Sequence, residues 1–270
     1  MVKPFLKWVG GKRQLLSHIT PLMPAGTHRL VEPFAGGAAV FFGTEFQKAW
    51  LNDVNPELIN CYQVVQNNAE ELISHLSQFR YEKEMFLEVR GWDRQEGWPD
   101  NVSEIRRAAR FIYLNRTAFN GMYRVNAKGQ FNVPFGRYTN PTICDAEGLR
   151  AASKRLQDAQ ITLSDFETVL QGCAVSDFVY LDPPYIPVSK TSSFTAYADG
   201  GFDMDAQRRL AAAIQHLDKR GVGFALSNAC CDAVEALYHP FRLIKVQAGR
   251  SINAQADGRA GVFEYIVTNQ

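Results

Sequence analysis

The chain has 270 residues, 46% hydrophobic and 21% charged, which excludes a largely disordered protein and leaves room for one large domain or a domain with a sizeable insertion. The formal net charge of +1 announces no polyanionic partner by itself. No apolar run reaches the length of a membrane span and the first residues lack a signal-peptide pattern, so a cytoplasmic location is expected.

In chain order, the apolar run His28–Val31 predicts a short strand. The turn Glu32-Pro33-Phe34-Ala35-Gly36-Gly37 follows, then a helix from Ala38 to about Phe46. Ala49–Asn52 predicts a second strand ending at Asp53. Pro56 opens a helix with apolar spacing at Leu58, Ile59, Tyr62 and Val65. The middle, roughly 67–150, has a different character. Ser103 begins a helix with apolar Ile105, Ala108, Ala109, Ile112 and Tyr113, and Arg106, Arg107 and Arg110 cannot all share that apolar side. Phe119-Asn120-Gly121 marks a turn, and a hairpin-like run passes through Ala127-Lys128-Gly129-Gln130 to Val133. Strand character returns at Ile161–Leu163, Asp177–Leu181 and Val222–Leu226, with a helix from Asp205 to about Leu217. Phe241–Val246 and Val262–Val267 read as a final pair joined by a polar loop. This alternation predicts an α/β fold with a largely parallel sheet covered on both faces, whose ligands bind at the carboxyl ends of the strands.

Charge is uneven along this plan. Residues 101–140 hold seven Lys or Arg against one acid, Glu104, a local +6 that leaves the remainder at −5. Such a window reads either as a solvated helix face or as a surface that tracks phosphates. The five cysteines form no Cys-x-x-Cys pair and the five histidines no i, i+4 pair, so neither a disulfide framework nor a metal site is suggested.

Three motifs fall at strand ends or ahead of a helix. Asp182-Pro183-Pro184-Tyr185 follows Phe178-Val179-Tyr180-Leu181. Two prolines fix φ and donate no hydrogen bond, leaving the Asp182 carboxylate and the Pro183 carbonyl as rigid acceptors. Two acceptors hold both protons of an exocyclic amine and turn its lone pair toward an electrophile, while Tyr185 offers a face for a planar base. The plainer alternative is a rigid strand-to-loop corner with a buried tyrosine. The glycine turn at 32–37 lets backbone approach a ligand closely but is neither Gly-x-Gly-x-x-Gly nor a phosphate loop. Asp53 suits a ribose hydroxyl or, equally, the N-terminus of the helix that follows. Lys7-Trp8-Val9-Gly10-Gly11-Lys12 would wrap a zwitterionic ligand or serve as a flexible cap.

Taken together with Asn52-Asp53-Val54-Asn55, Asn115–Gly121 and Phe131-Asn132-Val133-Pro134-Phe135-Gly136, these motifs occur in an order that resembles the Dam-type DNA adenine-N6 methyltransferases, the α group of the D12 class, from about residue 5 to 268. The resemblance implies a Rossmann-like seven-stranded fold that uses S-adenosyl-L-methionine, with an inserted, mostly helical recognition domain containing a β-hairpin. It implies a catalytic domain over 1–55 and 145–270, a target-recognition domain over 56–144, and a monomer acting on double-stranded DNA. Asp182, Pro183, Pro184 and Tyr185 would be catalytic. Trp8, Lys12, Phe34, Gly36, Asp53, Asp165, Phe166 and Asp182 would line the cofactor site.

By the same resemblance, Lys7, Arg116, Phe119, Asn120, Met122, Arg124, Pro134, Arg137 and Ser189 would contact DNA, with GATC as the target. Phe119 would enter the base stack, Asn120 meet the vacated partner base, and Arg124 read a base in the major groove. The run Pro187 to Tyr197 resembles a loop that closes over a flipped base, and Arg250-Ser251-Ile252 a loop near the end. The competing readings are an amine methylase of another planar substrate, a DNA-binding regulator with a silent site, and a dinucleotide oxidoreductase. The aspartate that opens the tetrapeptide, the intact acids and the missing Gly-x-Gly-x-x-Gly argue against each in turn.

Overall fold

The computed structural model describes residues 2–8, 10, 12–186, 202–248 and 262–270. Among them, one sheet contains β1 (Arg29–Glu32), β2 (Lys48–Asp53), β3 (Ala159–Leu163), β4 (Asp177–Leu181), β5 (Gly223–Ala229), β6 (Arg242–Ala248) and β7 (Val262–Thr268). The strand order is β3-β2-β1-β4-β5-β7-β6. The first five strands are parallel, and β7 runs antiparallel to both β5 and β6. This is the seven-stranded Rossmann-like fold of the sequence expectation. β4 and β5 are buried along their whole lengths, as central strands covered on both faces must be. β5 runs on beyond the apolar stretch that predicts it because Ser227 and Asn228 are themselves buried, a polar pair that pattern alone reads as loop.

The helices are α1 (Leu16–Ile19), α2 (Ala39–Gly43), α3 (Pro56–Asn67), α4 (Ala69–Leu76), α5 (Lys83–Gly91), α6 (Glu104–Thr117), α7 (Ala146–Leu156), α8 (Phe166–Gln171), α9 (Met204–Lys219) and α10 (Asp232–Tyr238). Their starts follow local chemistry. Asn55 Oδ1 accepts from the amides of Glu57 and Leu58, and Pro56 takes the first helical position. Ser103, Asp145, Asp165 and Asp203 cap α6, α7, α8 and α9 in the same way. α2 stops at Gly43, short of the expected Phe46, where Thr44 turns to extended backbone.

Alternate residues of each strand feed two cores. Leu30, Phe178 and Tyr180 join Phe41, Tyr62 and Leu156 on one face; Val31, Val179 and Leu181 join Phe166, Leu210 and Phe224 on the other. Burying one such side chain contributes roughly 1.5–3 kcal/mol. A third cluster, around Phe86, Val89, Trp92, Tyr113 and Phe131, is built from residues 86–133. α6 serves two of these clusters: Ala108, Ala109, Phe111 and Ile112 face the first core, Tyr113 and Leu114 the third. The expected boundary at residue 56 falls at the start of α3, which by its buried Leu58, Cys61, Tyr62 and Val65 packs with the sheet's own core. The expected hairpin is reduced to a single antiparallel bridge between Val125 and Phe131, its tip closed by Asn126, whose Oδ1 accepts from the amides of Lys128 and Gln130.

The basic window is partly internal. Arg110 is buried and pairs with Asp93 at 2.6 Å, while its Nε and Nη2 also donate to the carbonyls of Val89 and Arg90. Asp93 also accepts from the Phe131 amide at 2.6 Å, so one buried pair anchors the hairpin-like loop. Arg107 pairs with Glu57 and joins α6 to α3. Asp93→Ala leaves the Arg110 guanidinium buried and short of its partner, and the expected loss is about 3–5 kcal/mol in a urea unfolding experiment. A loss below about 1 kcal/mol would show that the pair is effectively solvated.

Candidate active site

The carboxyl ends of β2, β1 and β4 lie side by side, and Asn52 binds the first two to β3. Its Nδ2 donates to the carbonyls of Pro33 (3.0 Å) and Ser164 (2.9 Å), and its Oδ1 accepts from the Ser164 amide and the hydroxyls of Ser164 and Thr162. Asn52 is fully buried, so these bonds meet the whole demand of its amide. The next residue, Asp53, is thereby fixed in direction. Its Oδ2 accepts from the Gly36 amide at 3.1 Å and its Oδ1 from the Asn55 amide at 3.0 Å. Burial pushes its carboxyl above the usual range and those amides pull it back.

Gly36 sits at φ +47°, and a Cβ there would come within 2.6 Å of Trp8 Nε1. Glycine is required on both counts. Tyr62 fixes the turn from below by donating to the Gly36 carbonyl at 2.8 Å. Trp8 stacks on Phe111 and Tyr123. Beside the turn, Phe34 stacks on Phe166 with centroids 5.4 Å apart, and Phe202 packs edge-on against Phe34. Asp165 caps α8 and pairs with Arg209, which also lies over the Phe166 ring.

Lys12 connects this turn to the tetrapeptide. Its Nζ lies 3.0 Å from Asp182 Oδ1, donates to the Gly10 carbonyl at 2.7 Å, and sits 4.7 Å from the Tyr185 ring centroid. Burial pushes the Asp182 carboxyl up to about 6; Lys12 opposes the rise and Glu264 adds to it. Tyr185 donates to Glu264 Oε2 at 2.8 Å. Burial, then the charges of Asp182 and Glu264, push the Tyr185 phenol far up, so it remains a donor. Behind the loop, Gln207 donates to the Pro184 carbonyl, while Asn228 Oδ1 accepts from the amides of Ile186 and Ala229. Glu264, Gln207, Asn228 and Asn52 carried no sequence expectation of their own at this site.

A second group of the expected positions lies at residue 7 and along 116–137. Phe119 is 46% exposed. It lies beside Asn120, whose φ of +53° is a left-handed position asparagine tolerates. The Phe119 amide donates to the Pro134 carbonyl, which brings the 119–121 turn against exposed Pro134. Arg124 and Arg137 are exposed and Met122 is half-buried; Arg124 Nε donates to Asn132 Oδ1. Lys7 is half-buried over the Tyr138 ring, with burial and nearby Arg116 holding its ammonium below the usual lysine range. Arg116 turns inward, donating to the Phe5 carbonyl, and is not part of the exposed set. Ser189, the run 187–197 and residues 250–252 lie outside the described residues.

The chain matches the profile of the D12 class N6 adenine-specific DNA methyltransferase family over residues 8–252. It belongs to that family. It is 47% identical over 272 residues to the type II methyltransferase M1.LlaDCHI of Lactococcus lactis subsp. cremoris, covering 99% of this chain and 95% of that protein. It is 43% identical over 288 residues to the type II methyltransferase M.MjaIII of Methanocaldococcus jannaschii, covering 99% of each. The DNA adenine methylase of Escherichia coli strain K12 is 35% identical over 264 residues, 98% of this chain and 94% of that one. The activity of this D12 class enzyme is S-adenosylmethionine-dependent methylation of adenine N6 in DNA. Among its described residues, no helix is long and apolar enough to cross a membrane.

One buried acid of the methyltransferase titrates in an accessible range. Glu32 ends β1 and accepts from the Phe41 amide at 2.7 Å. Burial raises its carboxyl to about 8, the Phe41 amide opposes, and Asp182 adds to the rise. The folded state therefore holds this proton more tightly than the unfolded chain. That stabilisation is complete below the ordinary value of 4.5 and is lost as pH climbs through about 8. Glu32→Gln keeps an acceptor for Phe41 and loses the titration, so its urea midpoint should gain on the parent between about pH 5 and about pH 9. A difference that stays constant with pH would contradict the assignment.

Proposed function

We propose that this methyltransferase acts on the adenine of GATC in duplex DNA, rotating the base out of the helix and methylating it by direct in-line transfer. The observation that carries the reading is the cluster at the end of β4. There a carboxylate and an aromatic ring lie together, and no described residue donates to the Pro183 carbonyl. S-adenosylmethionine, when bound, supplies an electrophilic methyl group.

The residues at the strand ends fit that cofactor. The glycine turn lies against Trp8 at Gly36, and half-buried Phe34, backed by buried Phe166, offers an apolar face to a purine. Asp53 is a carboxylate oriented by two amides and suited to ribose hydroxyls. Trp8 and Lys12 complete the wall, with Lys12 suited to a carboxylate, and Asp165 borders the purine side. On the substrate side, Asp182 accepts a hydrogen bond from one amine N–H and takes that proton as the methyl group transfers, the Pro183 carbonyl accepts a hydrogen bond from the other N–H, Pro184 stiffens the corner, and Tyr185 stacks on the ring.

Extrusion of a base costs a few kcal/mol, and stacking on Tyr185 returns about 1–3 kcal/mol. Phe119 filling the gap offsets more, and Asn120 meets the vacated partner. Arg124, if bidentate, discriminates by about 1–3 kcal/mol at its base. Lys7, Met122, Pro134, Arg137 and Ser189 complete the contacts, while Arg116 supports the segment that carries Lys7. The recognition domain is the region 56–144, with α3 also serving the catalytic sheet, and the enzyme acts as a monomer. GATC rests on the match of residues 115–137 to the Dam-type motifs.

Methylation of a random DNA library followed by mapping of the modified adenines should return GATC; a different consensus would overturn the target assignment. Arg124→Ala should lower discrimination at one position by about tenfold or more. Unchanged preference would mean another residue reads that base. Because Asp182 must be ionised to accept the amine proton and its carboxyl is raised to about 6, kcat/KM should fall as pH drops through about 6. Flat activity well below that pH would remove Asp182 from this role.

A further inference from the structure

Tyr185 is held at three points by residues far from it in the chain. The peptide before it is fixed through the Pro184 carbonyl, which accepts from Gln207 Nε2 at 2.7 Å. The peptide after it is fixed through the Ile186 amide, which donates to Asn228 Oδ1 at 3.2 Å. The ring is fixed through its hydroxyl, which donates to Glu264 Oε2 at 2.8 Å. Gln207 and Asn228 are 1% and 0% exposed, and they also touch one another, Asn228 Nδ2 lying 3.4 Å from Gln207 Oε1. Below them Tyr180 and Ser227, equally buried, share a hydrogen bond of 2.8 Å.

Burying four polar side chains under one loop costs free energy unless each is satisfied, and an apolar filling would hold the same volume without that demand. A purely packing role therefore does not account for them. Their common effect is to fix the plane of one aromatic ring and the two peptide units around it. Gln207 has a second effect: it occupies the Pro184 carbonyl, so that of the two proline carbonyls only that of Pro183 is without a donor among the described residues.

We propose that Glu264, Gln207 and Asn228 are positioning residues that clamp Tyr185 in the plane on which the target adenine stacks, with Glu264 setting the ring through the phenol. This rests on the assignment of Tyr185 as the stacking face. Stacking is sensitive to tilt, so a ring fixed before the base arrives needs no ordering when it does.

The test is a double-mutant cycle at the half-buried pair, because a substitution at buried Gln207 or Asn228 risks the fold itself. Single-turnover methylation of a GATC duplex is measured for Tyr185→Phe, Glu264→Leu, the double variant and Glu264→Gln, with DNA and cofactor affinities and the melting temperature of each. A duplex carrying 2-aminopurine at the target reports base stacking by fluorescence. Each single variant should slow single turnover by about tenfold, and the double variant should be no slower than either, because both remove one hydrogen bond. Glu264→Gln keeps an acceptor for the phenol and should recover to within about threefold of the parent. Both singles should raise 2-aminopurine emission with DNA affinity unchanged.

Rates that multiply to about a hundredfold in the double variant would overturn the clamp. So would an unaffected Glu264→Leu enzyme, or losses that follow melting temperature or DNA affinity instead of the chemical step. Tyr185→Ala separates the two levels of the claim. If it leaves single turnover and fluorescence unchanged, the stacking assignment itself is wrong. If it abolishes single turnover and raises the emission while Tyr185→Phe and Glu264→Leu do neither, stacking stands and the clamp fails.

Discussion

Three carboxyl groups, Asp53, Glu32 and Asp182, stand at the ends of three adjacent strands, and the Lys12–Asp182 ion pair at 3.0 Å is what makes that concentration tolerable. Each acid is pushed upward by burial, and Glu32 and Asp182 repel one another. Glu32 meets the constraint by holding its proton near neutrality, Asp53 by accepting two backbone amides, and Asp182 by pairing with Lys12. The parallel register of β1, β2 and β4 forces the problem, because it delivers these three strands to the same end. The same register supplies a group of acceptors in one place, which is what handling an amine's protons requires.

The solution also sets the order of flexibility. Asp53 is tied by short local bonds and by its fully buried neighbour Asn52, so its direction is part of the fold. Asp182 is tied by one lysine from a segment near the N-terminus, with a quarter of its side-chain surface exposed. The carboxylate assigned to the cofactor is thus the rigid one, and the carboxylate assigned to the base is the one whose partner can exchange. Lys12 donates both to a backbone carbonyl and to Asp182, so it retains one bond if the other is given up.

Much of this was legible in the sequence, and the parts that were not share a physical cause. The strands at 29–32, 48–53 and 177–181 announce themselves by apolar runs, and the glycine and proline signals mark the turns that follow them. The tetrapeptide and the glycine turn declare their chemistry through residue types that backbone geometry requires locally. Glu264, Gln207 and Asn228 do not, because their partners lie 79, 23 and 42 residues away and nothing local distinguishes a buried glutamine on an amphipathic helix from a solvated one. Arg107 and Arg110 mislead for the converse reason. Counted as surface charge, they are spent on Glu57 and Asp93 inside the fold, so the basic surface is smaller than the +6 window suggests. The shortened α2 and the one-bridge loop at 125–131 show the usual weakness of pattern at element ends.

The surfaces proposed for recognition and for catalysis are joined by the segment 7–12. Lys7 is sewn to the 119–121 turn through Asn115, whose Oδ1 accepts from the Lys7 amide while its Nδ2 donates to the carbonyls of Lys7 and Gly121. Gly121, at φ +65°, has no room for a Cβ against Lys7 Cδ, which would lie 2.6 Å from it. Five residues further on, Lys12 holds Asp182. A chain that short spans at most about 18 Å, so it cannot absorb a large displacement at one end without disturbing the other. Trp8, between the two anchors, lies against the Gly36 turn. One short segment therefore touches the 119–121 turn, the glycine turn and the tetrapeptide at 182–185. Its composition follows from those neighbours: a lysine that packs flat, an indole that covers bare backbone, and a lysine whose charge is needed where the acids converge.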